Sequence, residues 1–278
     1  MKHIKKLALL GLTAVMSLSL LAGCGGGTTG AADTPAGGST APVTEDQEPA
    51  EGGFTTVEEG KLILSTNAEF APYEMLDDSG NPIGIDMEVG AAIAEKLGLE
   101  LQIDDMGFDA ALLAVQNGQS DIAMAGITVD EERLEVMDFT DTYATGVQVV
   151  IVKDGSDVTL DNLGEKMIGT QMGTTGFIYC TDDYGEDHVI GYETGAVAVQ
   201  ALVNGQIDAV VIDNLPAQSY VEANEGLTIL DTEYAVEDYA IGVKKGNTAL
   251  LEAVNSAMAE LKADGTFQNI VDKYIKAD

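Results

Sequence analysis

The chain holds one arginine, Arg133; all its other basic residues counted with it are lysines. A guanidinium is planar and always charged, so it can hold a carboxylate through two parallel hydrogen bonds, which an ammonium cannot. Arg133 follows Thr128-Val129-Asp130-Glu131-Glu132, a stretch that reads as a turn entering a helix, where free backbone N–H groups add further anion donors. The competing reading is a surface ion pair with a neighbour such as Glu132. Asp213 falls just past the apolar run at residues 209–212, and ligands of α/β sheets sit beyond the carboxyl ends of strands. It could equally cap a helix that starts near Leu215. Phe70 and Phe108 lie in Gly/Pro-flanked or turn-like contexts rather than on a helical stripe, so they can cover a ligand's side chain or simply pack in the core. Thr174 and Thr175 occupy a small-residue turn before a helix, where they offer anion donors or a plain N-cap.

Other chemistries find little support. No phosphate loop of the G-x-x-x-x-G-K type occurs. Asp182-Asp183-Tyr184-Gly185-Glu186-Asp187 is acidic but lacks calcium-loop spacing and reads as a solvated loop. With His3 and His188 the only histidines, zinc clusters and histidine-based triads are poorly supported. No cofactor or metal is expected. Lys+Arg total 13 against 47 Asp+Glu, a formal net charge of −34. That balance argues against nucleic acid as a partner and favours solubility and a monomer.

These residues need elements to position them. Leu62-Ile63-Leu64 is a short apolar run between turn residues, hence a strand, and residues 122–125, 149–152 and 209–212 read as buried strands. Val89, Ile93 and Leu97 recur at helical spacing and are followed by Gly98, while Leu250, Val254, Met258 and Leu261 form a second stripe closed by Gly265. The alternation predicts an α/β fold with mostly parallel sheets. An internal echo stands out: Ala114-Val115-Gln116-Asn117-Gly118-Gln119-Ser120-Asp121 resembles Ala201-Leu202-Val203-Asn204-Gly205-Gln206-Ile207-Asp208, and Gly126 and Asp213 follow the two asparagines at the same spacing. Two similar lobes would each offer a strand end to a shared cleft; helix–turn–strand units that merely look alike would give the same echo.

The first residues carry an address. Lys2, Lys5 and Lys6 precede an apolar run from residue 7 to 21 that is too short for a membrane span. It ends in Leu21-Ala22-Gly23-Cys24, which resembles the lipobox of bacterial lipoproteins. The resemblance implies a signal peptide over 1–23, cleavage before Cys24, and a lipid such as palmitate on that cysteine. Cys180 then has no intrachain disulfide partner. Residues 25–53 are almost all Gly, Ala, Thr, Ser, Pro, Asp and Glu and cannot bury enough surface to offset their ordering. A flexible linker is expected over 24–58.

From about Lys61 to Tyr274 the chain resembles a family 3 solute-binding protein, the polar amino-acid receptor of a bacterial ABC importer. The carrying motifs are Ser65-Thr66-Asn67-Ala68-Glu69-Phe70-Ala71-Pro72-Tyr73-Glu74, Gly84-Ile85-Asp86-Met87, Met106-Gly107-Phe108-Asp109, Ala125-Gly126-Ile127-Thr128-Val129-Asp130-Glu131-Glu132-Arg133, Asp138-Phe139-Thr140 and Gly173-Thr174-Thr175-Gly176, with residues 208–213 closing the set. Each alone is weak; their order and spacing over nearly the whole body are strong. The resemblance implies a periplasmic-binding-protein-like fold of type II, two α/β lobes joined by two hinge strands near 143–147 and 236–240. Lobe 1 is expected over 59–145 and 237–278, lobe 2 over 146–236. It implies a free L-amino acid held by Asn67, Phe70, Phe108, Ala125, Gly126, Thr128, Arg133, Gln171, Thr174, Thr175 and Asp213, with Arg133 on the carboxylate and Asp213 on the ammonium.

Glutamine-type relatives carry Asp at the Asn67 position and Lys at the Gln171 position, and basic-amino-acid receptors also usually carry an acid at the Asn67 position. Asn67 with Gln171 therefore suggests a neutral polar side chain, while Glu69 could instead serve a cationic one. The expected role is an extracytoplasmic, membrane-anchored receptor that delivers its ligand to permease subunits, and not an enzyme. The rival is an exported cyclohexadienyl or arogenate dehydratase on the same scaffold, for which Glu69 is the one nameable proton-transfer acid.

Overall fold

The computed structural model describes residues 53–275. The expected signal peptide, Cys24 and the linker up to residue 52 lie outside the described residues. Residues 54–58, expected within the linker, include positions held against the body. Phe54 is 3% exposed and packs in the first lobe's core, and the Val57 N–H donates to Asp121 Oδ1 at 2.7 Å. One large apolar side chain is enough to pin this segment to the body.

The first lobe opens with β1 (Lys61–Thr66), β2 (Glu69–Phe70), β3 (Glu74–Leu76) and β4 (Pro82–Ile83), then α1 (Ile85–Leu97), β5 (Glu100–Asp105), α2 (Phe108–Gln116), β6 (Ile122–Ala123), α3 (Glu131–Val136) and β7 (Met137–Phe139). The chain crosses to the second lobe as β8 (Ala144–Lys153) and continues through β9 (Ile168–Gln171), α4 (Thr175–Tyr184), β10 (Val189–Tyr192), α5 (Gly195–Val203), β11 (Ala209–Asp213), α6 (Asn214–Ala223) and β12 (Leu227–Ile229). It returns as β13 (Ala235–Tyr239) and ends in the first lobe with β14 (Gly242–Lys244), α7 (Thr248–Ala263) and α8 (Thr266–Tyr274).

The first sheet runs β5-β1-β6-β14-β7 and the second β10-β9-β11-β8-β12, with β13 on β8; β2, β3 and β4 form a small sheet of their own. Both large sheets are mixed rather than mostly parallel. The strands delivered by the βαβ connections pair in parallel. The strands that arrive from the other lobe run the opposite way: β8 is antiparallel to β11, and β14 to β6 and β7. The crossing itself is a two-stranded ladder, from Ala144 opposite Tyr239 to Gln148 opposite Ala235.

Local chemistry sets the boundaries. In α1, acids occupy the first turn, Lys96 the last, and Gly98 closes the helix in the left-handed conformation that glycine tolerates. In α7, Leu250, Val254, Met258 and Leu261 are buried, and Gly265 separates α7 from α8. The sequence echo is a structural one. Asn117 and Asn204 end α2 and α5, the next glycine has φ 69° and 71° respectively, and Gln119 and Gln206 N–H donate back to Ala114 and Ala201. Asp121 and Asp208 then each accept a backbone N–H from a neighbouring segment, Ile63 and Met167. The two turns thus bring Gly126 and Asp213 to corresponding strand ends.

Candidate functional site

A cavity lies between the lobes. All eleven residues expected at the ligand line it, together with one that was not, Glu74. The first lobe contributes the loop after β1, β2, β3, the start of α2, the loop after β6 and α3; the second contributes the end of β9, the start of α4 and the end of β11.

Arg133 is held from several sides. Asp130 caps α3 through the Arg133 N–H at 2.8 Å and pairs with its Nε at 3.2 Å, so its ionic partner is Asp130 rather than Glu132. Nη1 donates to the Thr128 carbonyl at 2.8 Å and Nη2 to the Gly173 carbonyl, across the cleft, at 3.2 Å. The guanidinium lies 5.4 Å from the centre of the Phe108 ring, a cation–π distance. Burial lowers its pKa, opposed by the charges of Asp130 and Glu237.

Asp213 occupies the N-cap position of α6, yet its side chain makes no cap bond. Its carboxylate instead accepts from Gln148 Nε2 at 2.7 Å and from the Tyr239 hydroxyl. Gln148 Nε2 also donates to Glu237 at 2.9 Å. Gln148, Glu237 and Tyr239 all belong to the crossing ladder, so the ladder positions this carboxylate. Burial, helped by the Glu237 charge, pushes the Asp213 pKa up to about 7.

The two amides join the lobes. Gln171 Nε2 donates to Asn67 Oδ1 at 2.9 Å, and Asn67 Nδ2 donates to the Met106 carbonyl at 3.1 Å. The Tyr220 hydroxyl adds a bond across the cleft to the Glu69 carbonyl at 3.2 Å. Phe70 packs against the cores of both lobes. Thr174 caps α4 through the Phe177 N–H and returns its own hydroxyl hydrogen to the Gln171 carbonyl. Gly126 needs its left-handed backbone, φ 53°, and a Cβ there would approach the Phe70 ring to 2.7 Å. The side chain of Glu69 is exposed and is not among the cavity's lining residues.

At the cavity wall Glu74 forms a buried acid pair with Asp86. Glu74 and Asp86 are both 0% exposed. Asp86 Oδ2 accepts from the Gly126 N–H at 3.2 Å and the Tyr143 hydroxyl at 2.8 Å. Apart from a hydrogen bond shared with Asp86, neither carboxyl oxygen of Glu74 has a partner. Burial raises Glu74 well above the usual carboxylate range, and the Asp86 charge adds to it; burial lifts Asp86 to about 6. Glu74 stood inside the Phe70–Glu74 motif, flanked by Tyr73 and Met75. An acid inside an apolar run was the available signal.

Two α/β lobes joined by a crossing pair of strands around a cleft define a type II periplasmic-binding-protein fold. The chain belongs to family 3 of the bacterial extracellular solute-binding proteins, whose model matches residues 62–277. It is 32% identical to a probable histidine-binding protein of Neisseria gonorrhoeae over 223 residues, covering 77% of this chain and 83% of that one. It is 30% identical to the ABC transporter glutamine-binding protein GlnH of Bacillus subtilis (strain 168), covering 100% and 99%. Among solved structures, an ancestral arginine-binding protein bound to glutamine superposes with a TM-score of 0.75 at 36% identity, covering 79% of this chain and all of that one. The family and these relatives are binding proteins rather than enzymes.

Proposed function

We propose that this protein captures a free L-amino acid between its lobes and delivers it to the permease of an ABC importer, while a lipid on Cys24 holds it at the extracytoplasmic face of the cell membrane. The observation that carries the reading is the pairing of opposite charges from opposite lobes on one cavity: Arg133 from the first, Asp213 from the second. An amino-acid zwitterion supplies the carboxylate and ammonium that complete both. In this reading Arg133 exchanges its bonds to backbone carbonyls for a carboxylate, a stronger charge-assisted contact. The charged ammonium beside Asp213 restores a partner that burial has removed. Relatives named for histidine and for glutamine support the amino-acid class and differ on the side chain.

A thermal-shift screen of the full-length protein against the common amino acids tests this, since occupancy raises apparent stability. A rise in melting temperature with at least one of them is expected; a folded protein that responds to none sinks the reading. Labelling cells with a palmitate analogue tests the anchor: the wild type takes up label, and a Cys24→Ala variant does not. Dehydratase chemistry has no positioned acid at Glu69, which lies outside the cavity lining.

A further inference from the structure

We propose that Gln148 and Glu237, which lie outside the cavity lining, are positioning residues for amino-acid capture: from the crossing ladder they clamp Asp213 and set how readily it takes the ligand's ammonium. The inference rests on the amino-acid reading above and deepens it, naming residues that govern the site without touching the ligand.

One amide nitrogen serves two buried acids. Gln148 Nε2 donates to Asp213 Oδ2 at 2.7 Å and to Glu237 Oε2 at 2.9 Å, and all three side chains are buried. A primary amide carries two N–H hydrogens, so both are used. Gln148 Oε1 meanwhile has no donor. It faces Gly176 on α4, where a Cβ would come within 2.9 Å of it. A buried amide oxygen left without a partner costs stability. Turning the amide over would aim that oxygen at two acids and lose both bonds. The nitrogen is therefore held where it is by the need to grip Asp213 and Glu237 together.

Glu237 also reaches the opposite end of the site. Its charge acts on Arg133 from the first lobe and on Asp213 from the second, and it shares a hydrogen bond with the Tyr179 hydroxyl on α4. The groups that face Asp213 are Gln148 from β8, Glu237 and Tyr239 from β13, and Tyr73 and Glu74 from the first lobe. Two of them act on its charge in opposite senses. The Gln148 hydrogen bond favours the carboxylate form, and the Glu237 charge disfavours it. An ammonium needs the carboxylate form, so this hinge pair sets the acidity at which capture begins.

Titration calorimetry of the full-length protein with L-glutamine and L-arginine, from pH 5 to 8, tests this. Wild-type affinity for at least one of them should rise across that range as Asp213 ionises. Gln148→Met keeps the bulk and removes both donors. The midpoint of the rise should move up by at least about half a pH unit, and affinity at pH 7 should fall at least about tenfold, the scale of one hydrogen bond to a charged group. Glu237→Gln keeps the shape and removes the charge, so the midpoint should move down by at least about half a pH unit. Opposite shifts from two touching residues separate positioning from damage to the fold, which weakens binding in both. Circular dichroism shows whether each variant is folded; if Gln148→Met is not, the Glu237→Gln profile decides alone. Smaller shifts, shifts in one direction for both variants, or a wild-type affinity that is flat with pH overturn the inference and leave the amino-acid reading standing. A wild type that binds neither these two nor any other common amino acid overturns both.

Discussion

Gln171 and Asn67, from different lobes, share one hydrogen bond at 2.9 Å that spans the cleft. Asn67 is 7% exposed and Gln171 6%, so water competes little for the bond. It joins the lobes through neutral groups alone, and it depends on both amides at once.

Replacing Asn67 with Ala removes this bond and leaves the Met106 carbonyl without its donor. A buried neutral hydrogen bond contributes about 1 kcal/mol net, so ligand affinity should drop roughly fivefold. Titration calorimetry reads the loss, and small-angle scattering of the unliganded variant should show a larger radius of gyration. Unchanged affinity and an unchanged radius together would mean that the bond does not hold the lobes.

Arg133 should tolerate no substitution. Arg133→Lys keeps the charge but loses the fork, the contact with the Phe108 face and the Nε pairing to Asp130. Affinity for any amino acid should fall by about a hundredfold, the scale of two charge-assisted bonds. If calorimetry finds the Arg133→Lys variant binding within about threefold of wild type, a span of well under one such bond, the guanidinium has no part in carboxylate recognition.

Stability of the unliganded protein should decline as pH rises through the acid-to-neutral range. Burial lifts Asp213 to about 7 and Asp86 to about 6, so the folded state binds their protons more tightly than the unfolded chain does. That advantage is complete below about pH 4 and is lost as pH climbs through the folded values near 6 and 7. The formal charge of −34 acts in the same direction. Melting temperatures from pH 5 to 8 check this, and an Asp213→Asn variant should show a shallower slope. Ligand-induced stabilisation should grow with pH over the same window, because the ammonium needs Asp213 ionised.

Gly146→Ala should weaken binding from within the hinge. A Cβ at this position overlaps the Tyr239 hydroxyl and comes within 2.7 Å of Asp213 Oδ1, so it pushes apart the pair that presents the carboxylate. Overpacking a tight site costs about 1–3 kcal/mol. Chemical denaturation and calorimetry should both register it, whereas a Gly155→Ala change, on an exposed turn with open space around it, should leave ligand affinity unchanged.

Much of this arrangement was legible in the sequence because the cavity-lining residues sit on short motifs at strand ends. The Asn-Gly echo led to Gly126 and Asp213, and both line the cavity. What sequence could not supply was the fate of each polar group once the lobes met. Asp213 looked like a helix cap, but the crossing ladder holds it through Gln148 and Tyr239 instead. Arg133 suggested a pair with Glu132, yet the helix turns Asp130 toward it. Glu69 and Glu74 look alike in sequence; strand β2 leaves the first exposed, and β3 turns the second inward between α1 and the ladder. The mixed sheets follow from the double crossing, which no local periodicity records.

Arg133 and Asp213 hang from separate halves of the molecule. On the proposed reading the cleft therefore works as a logical AND. A simple carboxylic acid satisfies one half and a simple amine the other, and neither bridges the two charges. Such molecules would come and go without linking the two halves. The filter against them needs no extra pocket, since it is built into the placement of two opposite charges on separate lobes of one cavity.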